Sequence, residues 1–201
     1  DVLEEITDSL ASIPSESGRR GFGSLLKSGK EISREMGARG LGLIGDEGVI
    51  GLLGEAVKDP SPAVRKTAYQ SLARIGLPET APLVVAGLDD GDDDVRRALL
   101  KALNGWPSEN IRGGIVKALN DKNLWARYQA VMLVGEICGN EFEERIIDIL
   151  KKDEPPVKAA AAKALEKIGT SRSVPVLEEF SCHPDPSVRA AVENALGSLR
   201  C

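Results

Sequence analysis

The 201-residue sequence predicts an all-α protein, an α-solenoid of about six stacked helical hairpins, from three observations. A basic residue recurs at a fixed interval along most of the chain. An apolar stripe at helical spacing follows each copy of it, and no segment shows the period-two alternation of a strand. One hairpin cannot bury its apolar face alone, so consecutive hairpins are expected to stack and share a continuous core.

The repeat has a period of 31 residues, as in 65 − 34 = 31 and 96 − 65 = 31. Apolar side chains follow the basic residue at three, seven and ten positions, for example Ala68, Leu72 and Ile75 after Arg65. Steps of three and four residues trace one face of an α-helix, so each copy marks the second helix of a hairpin. The basic positions are Arg34, Arg65, Arg96, Arg127, Lys158 and Arg189.

Capping residues set the ends of these second helices. Four residues before the basic position the chain has a good N-cap in every copy from Arg65 onward except one, which has Glu154. Proline follows directly in three copies, at the first helical position where a missing N–H costs nothing. The predicted second helices are 62–75, 93–106, 124–137, 155–168 and 186–199, and the predicted first helices are 48–58, 80–88, 109–119, 141–151 and 173–181.

The chain is predicted to be a single repeat domain over 1–201, with five regular repeats over 46–201 and degenerate repeats over 1–45. Residues 1–13 are interpreted as the second helix of a further hairpin, and the chain as part of a longer protein. Segment 18–54 is rich in glycine. Because glycine inside a helix costs roughly 0.5–1 kcal/mol relative to alanine, this end is expected to be the least stable.

The repeat resembles the HEAT repeat family, and its short period resembles the branch called PBS-lyase HEAT-like repeats. The resemblance rests on the residues Asp59, Val64 and Arg65, followed by Ala68, Leu72, Ile75 and Gly76. It implies a right-handed α-solenoid (an α-α superhelix) whose second helices line the concave side. It also implies that each ladder cation pairs with a turn aspartate of a neighbouring repeat. That structural ladder comprises Arg65, Arg96, Arg127, Lys158, Arg189, Asp59, Asp90 and Asp121.

Composition narrows the classes of function. The formal net charge of -5 argues against a general nucleic-acid binder, although a local basic strip remains compatible with it. Three scattered cysteines do not form a disulfide framework, and with no signal peptide or membrane-length apolar stretch they favour a cytoplasmic location. The protein is expected to be a monomer with no membrane association.

Three sequence features that could carry chemistry are assigned to structure instead. His183 and Cys182 have no second ligand pair for a zinc site, and a single histidine excludes the di-iron centre with several His-Glu pairs found in some HEAT-repeat enzymes. Gly29 and Lys30 are followed by glutamate, so the phosphate-loop pattern is absent. The acidic run 89–94 is interpreted as a turn plus an N-cap. No catalytic residue, metal or cofactor is predicted.

Surface positions of the second helices are the candidate binding site. They combine aromatic, basic and methionine side chains, types that frequently anchor or adapt to protein partners. The leading hypothesis is therefore a non-catalytic scaffold that binds a partner protein or peptide on the concave face. The alternatives are a phycobilin lyase-like subunit or chaperone and a nucleic-acid-binding HEAT-like protein. The candidate residues are Lys66, Tyr69, Arg97, Lys101, Trp125, Tyr128 and Met132.

Overall fold

The computed structural model describes residues 15–200, and within that range it contains twelve α-helices and no strands, which confirms the all-α class. The predicted terminal helix with Val2, Leu3, Ile6, Leu10 and Ile13 lies outside the described residues. The helices are α1 (Ser15–Leu25), α2 (Glu31–Ile44), α3 (Ile50–Ala56), α4 (Pro62–Ile75), α5 (Ala81–Gly87), α6 (Asp93–Ala102), α7 (Ser108–Ala118), α8 (Leu124–Ile137), α9 (Glu143–Lys152), α10 (Pro155–Ile168), α11 (Ser173–Glu179) and α12 (Pro186–Leu199).

The chain divides into two compact units, 1–102 and 103–201. In the first unit α2 packs against α1 and α4, and α4 packs against α6. In the second unit α8 packs against α10, and α10 packs against α12. Within each unit the second helices therefore stack in sequence, while the shorter first helices lie against them, as expected for an α-solenoid. The single domain over 1–201 stays a prediction.

The caps hold the second helices where the sequence places them. The Ser61 hydroxyl accepts a hydrogen bond from the Ala63 N–H, and the side chains of Asn123 and Asp185 cap α8 and α12 in the same way. Glu154 makes no side-chain cap, as its residue type indicates. Gly76 ends α4 in the left-handed conformation at φ 66°, a region that favours glycine.

The predicted helix 93–106 is wrong at its C-terminal end, because α6 stops at Ala102. Gly105 has φ 85°, which breaks the helical path, and proline follows at position 107. Trp106 is nevertheless buried, with 7% of its surface exposed. Several first helices also begin differently from the prediction, with a short 3₁₀ turn such as Asn140–Phe142 before α9.

The glycines of the first unit allow close helix packing. A Cβ atom at Gly40 would lie 2.3 Å from the ring of Phe22, which is itself buried. A Cβ atom at Gly42 would lie 2.3 Å from the Ser71 hydroxyl. These glycines of α2 therefore bring α1 and α4 close to its backbone, and the segment is tightly packed despite its low helix propensity. Among the described residues, no helix is both long and apolar enough to span a membrane.

Candidate protein-binding surface

The ladder cations and turn aspartates form part-buried ion pairs between successive hairpins. Arg65 donates from Nε and Nη2 to the two carboxylate oxygens of Asp90, at 2.8 and 2.9 Å. Arg34 pairs with Asp59 in the same bidentate geometry, at 2.6 and 2.9 Å. The remaining Nη1 of Arg65 donates to the backbone carbonyl of Asp59 at 2.9 Å, so one guanidinium joins two turns. These side chains are committed to holding hairpins together.

Burial and hydrogen bonding determine the pKa values of the Arg65–Asp90 pair. Burial acts to raise the pKa of Asp90, but the hydrogen bonds from Arg65 and from the Asp92 N–H outweigh it, with further help from nearby positive charge. The pKa of Asp90 is therefore lowered, and Asp90 is held as a carboxylate. The hydrogen bond to Asp90 raises the pKa of Arg65.

In the second unit the same pair forms with an aspartate that the register did not identify. Arg127 donates from Nε and Nη2 to Asp153, both at 2.8 Å. A strict 31-residue step from Asp121 leads to Lys152, so the acceptor lies one position later. The signal available in the sequence is Asp153 directly before Glu154 and a proline, at the start of α10. Asp121 accepts a hydrogen bond from the Asn123 N–H at 2.8 Å.

Arg96 and Arg189 also donate hydrogen bonds to the turns that precede their helices. Arg96 is 5% exposed, and it donates to the Asp90 carbonyl at 2.7 Å and to the Asp93 carboxylate at 2.6 Å. Arg189 donates to the carbonyl of His183 at 2.7 Å. All of these positions serve the hairpin turns, so the ladder offers no cation for a ligand in the residues described.

One step of the ladder is rebuilt around a histidine. Lys158 and His183 stand 25 residues apart, the same separation as Arg65 and Asp90. The Nδ1 atom of His183 accepts a hydrogen bond from the backbone N–H of Asp185 at 3.1 Å. In the same way, the carboxylate of Asp90 accepts one from the backbone N–H two residues later, at Asp92. The Lys158 ammonium lies 4.9 Å from the ring centre of Phe180, which stacks on His183. His183 is therefore a structural replacement for the turn aspartate.

This replacement gives a testable stability prediction. We expect Lys158→Arg combined with His183→Asp to restore the bidentate pair and to show a favourable coupling energy of about 1 kcal/mol relative to the two single variants. Urea denaturation of the four proteins measures it. Additive single effects would contradict the assignment of His183 as the turn-aspartate equivalent.

The predicted binding residues separate into buried and exposed groups. Tyr69 is wrong as a surface anchor: only 7% of it is exposed, and its ring fills the space beside Gly87, where a Cβ atom would lie 2.5 Å away. Burial also raises the pKa of its hydroxyl. Lys66, Tyr128 and Met132 are half-buried. Arg97, Lys101 and Trp125 are exposed.

Trp125, Tyr128 and Met132 form what we call the aromatic patch, on one face of α8 at spacings of three and four residues. Trp125 is 50% exposed. Its ring meets that of Tyr128 edge-on, at 5.8 Å between centroids and 66° between planes. The side-chain oxygen of Asn123 accepts a hydrogen bond from the backbone N–H of Trp125 at 2.9 Å, so the helix start that carries Trp125 is fixed.

The helix position of Tyr128 carries a small side chain in the second helices that follow. The position of Tyr128 is held by Ala159 in α10 and by Ala190 in α12, each 31 residues further on. Along the same face, Lys167 of α10 pairs with Glu136 of α8 at 2.5 Å. The aromatic residues at this helix position are therefore confined to α8, and exposed aromatic side chains of this kind are suited to contact apolar groups of a partner.

A separate cleft of about 560 Å³ lies in the second unit among the turns, and does not include the aromatic patch. Three cations line it: Arg127 pairs with Asp153 and Lys152 pairs with Asp148, whereas Arg145 makes no ion pair among the residues described.

Comparison with known proteins assigns the family. The profile of the family described as HEAT repeats matches residues 20–104 and 114–197. The chain belongs to the HEAT repeat family. It is 30% identical over 189 residues to an uncharacterized phycocyanin operon protein Z of Pseudanabaena tenuis, with 89% of this chain and 93% of that protein covered.

Two further similar proteins have lower sequence identity. The chain is 28% identical over 199 residues to deoxyhypusine hydroxylase-B of Oryza sativa subsp. japonica, covering 84% of this chain and 66% of the rice protein. An archaeal HEAT-like repeats protein from Thermococcus onnurineus NA1 has a TM-score of 0.56 at 12% identity, covering 98% of this chain and 97% of that one. The structural likeness supports the helical repeat fold alone.

The residues present do not fit a His-Glu metal centre. The sequence has one histidine, His183, whose Nδ1 atom is used in a turn. Within residues 15–200 no three side chains of His, Cys, Asp or Glu come together as metal ligands.

Proposed function

We propose that the chain is a non-catalytic scaffold that binds a partner protein or peptide through the concave, solvent-facing side of its second helices. The half-exposed Trp125, held against Tyr128, is the observation that carries the proposal. Exposed tryptophan and tyrosine are the residue types that most often dominate binding energy at protein interfaces. Met132 on the same helix face adds a flexible apolar group. Concave placement of this face remains part of the proposal.

The aromatic patch also has the geometry of an anchor. The edge-on contact fixes both rings, so little side-chain freedom is lost when a partner covers them. The ladder cations are engaged within the turns, so the interaction depends on apolar contact at the patch.

The test compares the wild-type chain with Trp125→Ala/Tyr128→Ala. A partner is first captured on immobilised wild-type chain and identified, and its affinity for each variant is then measured by titration. We expect the double variant to bind at least about tenfold more weakly, because loss of an interface anchor costs 1–2 kcal/mol or more. Emission of Trp125 should shift to the blue on binding.

The matched control is Glu144→Ala/Lys151→Ala, two exposed residues on the first helix α9 of the same unit. This variant should bind within about twofold of wild type, and circular dichroism should show unchanged helix content in both variants. Equal affinity of the aromatic variant and wild type for the identified partner would overturn the proposal.

A second candidate function is that of a phycobilin lyase-like subunit or chaperone. It is favoured by the likeness to phycocyanin operon protein Z, which extends over 93% of that protein. In the same capture experiment, this candidate predicts a bilin-bearing protein as the partner. Incubation of the chain with free phycobilin would then produce bilin fluorescence, whereas a plain scaffold produces none.

A further inference from the structure

Two neighbouring second helices of the first unit carry basic residues that do not take part in the ladder. Helix α4 contains three basic residues and no acidic one, although the whole chain has a net charge of -5. Arg65 of this helix pairs with Asp90 as part of the ladder, whereas Lys66 and Arg74 take no part in the ladder. Helix α6 adds Arg97 and Lys101. We call Lys66, Arg74, Arg97 and Lys101 the basic stripe.

The register places the stripe on one continuous surface. Lys66 and Arg97 are 31 residues apart and occupy the same position in two helices that pack together. Arg74 follows Lys66 by eight residues and Lys101 follows Arg97 by four, so each pair shares a helix face. Packed helices lie about 8–10 Å apart, which puts the cations within reach of one bound segment.

Most of this charge is not neutralised by the protein itself. Arg97 pairs with the exposed Asp94 at 2.7 Å. In the part of the chain that the structure describes, Lys66, Arg74 and Lys101 make no ion pair. Exposed lysines elsewhere do pair, as Lys58 does with Glu55 at 2.8 Å. The two helices together contain six cations and two carboxylates. Arg65 and Arg96 serve the ladder turns, the latter with Asp93, which leaves four cations and Asp94 on the stripe.

We propose that the basic stripe binds an acidic protein segment, whose carboxylates pair with Lys66, Arg74 and Lys101. Like-charged side chains held on one face are complementary to such a segment, and they speed its association. This surface lies in the first unit, so the inference goes beyond the aromatic patch of the second unit and does not depend on it.

A nucleic acid fits this stripe less well. Single strands are held by bases stacked on exposed aromatic rings, in addition to the charges that follow the backbone. The aromatic residues between positions 15 and 102 are Phe22 and Tyr69, and both are buried.

The test uses the full chain and a fluorescein-labelled peptide of eight glutamates, followed by fluorescence anisotropy at about 50 mM salt. We expect saturable binding that weakens strongly at about 300 mM salt, since exposed charges are screened over a shorter distance there. Lys66→Glu/Lys101→Glu should bind the peptide about tenfold more weakly. A labelled 12-nucleotide oligothymidine should bind more weakly than the peptide.

The control Lys27→Glu/Lys151→Glu makes the same change of net charge at exposed lysines outside the stripe, and should change affinity by less than about twofold. If both variants weaken binding equally, if the peptide shows no saturable binding, or if oligothymidine binds more tightly, the proposal is overturned. Lys66→Gln/Lys101→Gln replaces the charge-reversal variant if the latter fails to fold. Trp125→Ala/Tyr128→Ala should bind the peptide normally, which separates this result from failure of the aromatic patch.

Discussion

Replacement of Arg65 by methionine is expected to lower the free energy of unfolding by about 2 kcal/mol, and the melting temperature by about 6 °C. The change leaves the Asp90 carboxylate, whose side chain is 5% exposed, without its bidentate partner. It also removes the hydrogen bond from Arg65 to the Asp59 carbonyl in the preceding turn. An unpaired buried acceptor costs more than the net value of the bond it has lost. Thermal and urea denaturation at pH 7 measure the effect.

Acid should reduce the difference between this variant and wild type. The pKa of Asp90 is lowered in the folded protein, whereas the unfolded chain has an ordinary carboxyl pKa of about 3.9. The ion pair therefore contributes fully above about pH 4, and its contribution is lost as the pH falls through the lowered folded pKa. We expect the full difference in free energy of unfolding between Arg65→Met and wild type at pH 5 to 7, and a smaller difference below pH 4.

The matched control is Arg97→Met, which removes an arginine from the exposed pair with Asp94. Exposed pairs contribute about 0–1 kcal/mol, so this variant should melt within about 2 °C of wild type. A similar loss in both variants, independent of pH, would show that the arginine stem and not the buried pair stabilises the turn.

The sequence predicted most of the fold because the repeat specifies each second helix several times over. The cap at Asn123, the ladder residue Arg127 and the apolar stripe all give the same bounds for α8, and the structure confirms 124–137. The error in α6 arose where the register continued but local conformation changed: Leu103 and Trp106 keep the apolar pattern, while Gly105 adopts a positive φ. Periodicity alone does not report a backbone break.

The candidate site was less predictable because nearby positions on one helix can face either the solvent or the next helix. Tyr69 and Lys66 are three residues apart on α4, yet Tyr69 packs beside Gly87 and Lys66 remains partly exposed. Asp153 was not predicted as a ladder residue because it lies one residue beyond the 31-residue register, although its side chain still reaches Arg127. The burial of Tyr69 and the pairing of Asp153 both depend on contacts between hairpins.

The second large effect concerns glycine. Gly40→Ala, in the middle of α2, is expected to lower the free energy of unfolding by about 2 kcal/mol, although alanine is the better helix former. The new Cβ atom would lie 2.3 Å from the Phe22 ring, and Phe22 is only 3% exposed, so the ring has little room to move away. Thermal denaturation monitored by circular dichroism gives the sign directly.

Gly21→Ala is the opposite case in the adjoining helix. Gly21 is exposed on α1, and a Cβ atom there would meet nothing within 4 Å, so only the propensity gain remains. This variant should be more stable than wild type by about 0.5–1 kcal/mol. If alanine stabilises both positions, propensity governs this segment and its glycines are a weakness of the fold. If the two variants move in opposite directions, Gly40 is a packing residue, and the glycine content of 18–54 cannot by itself be used to identify the least stable part of the chain.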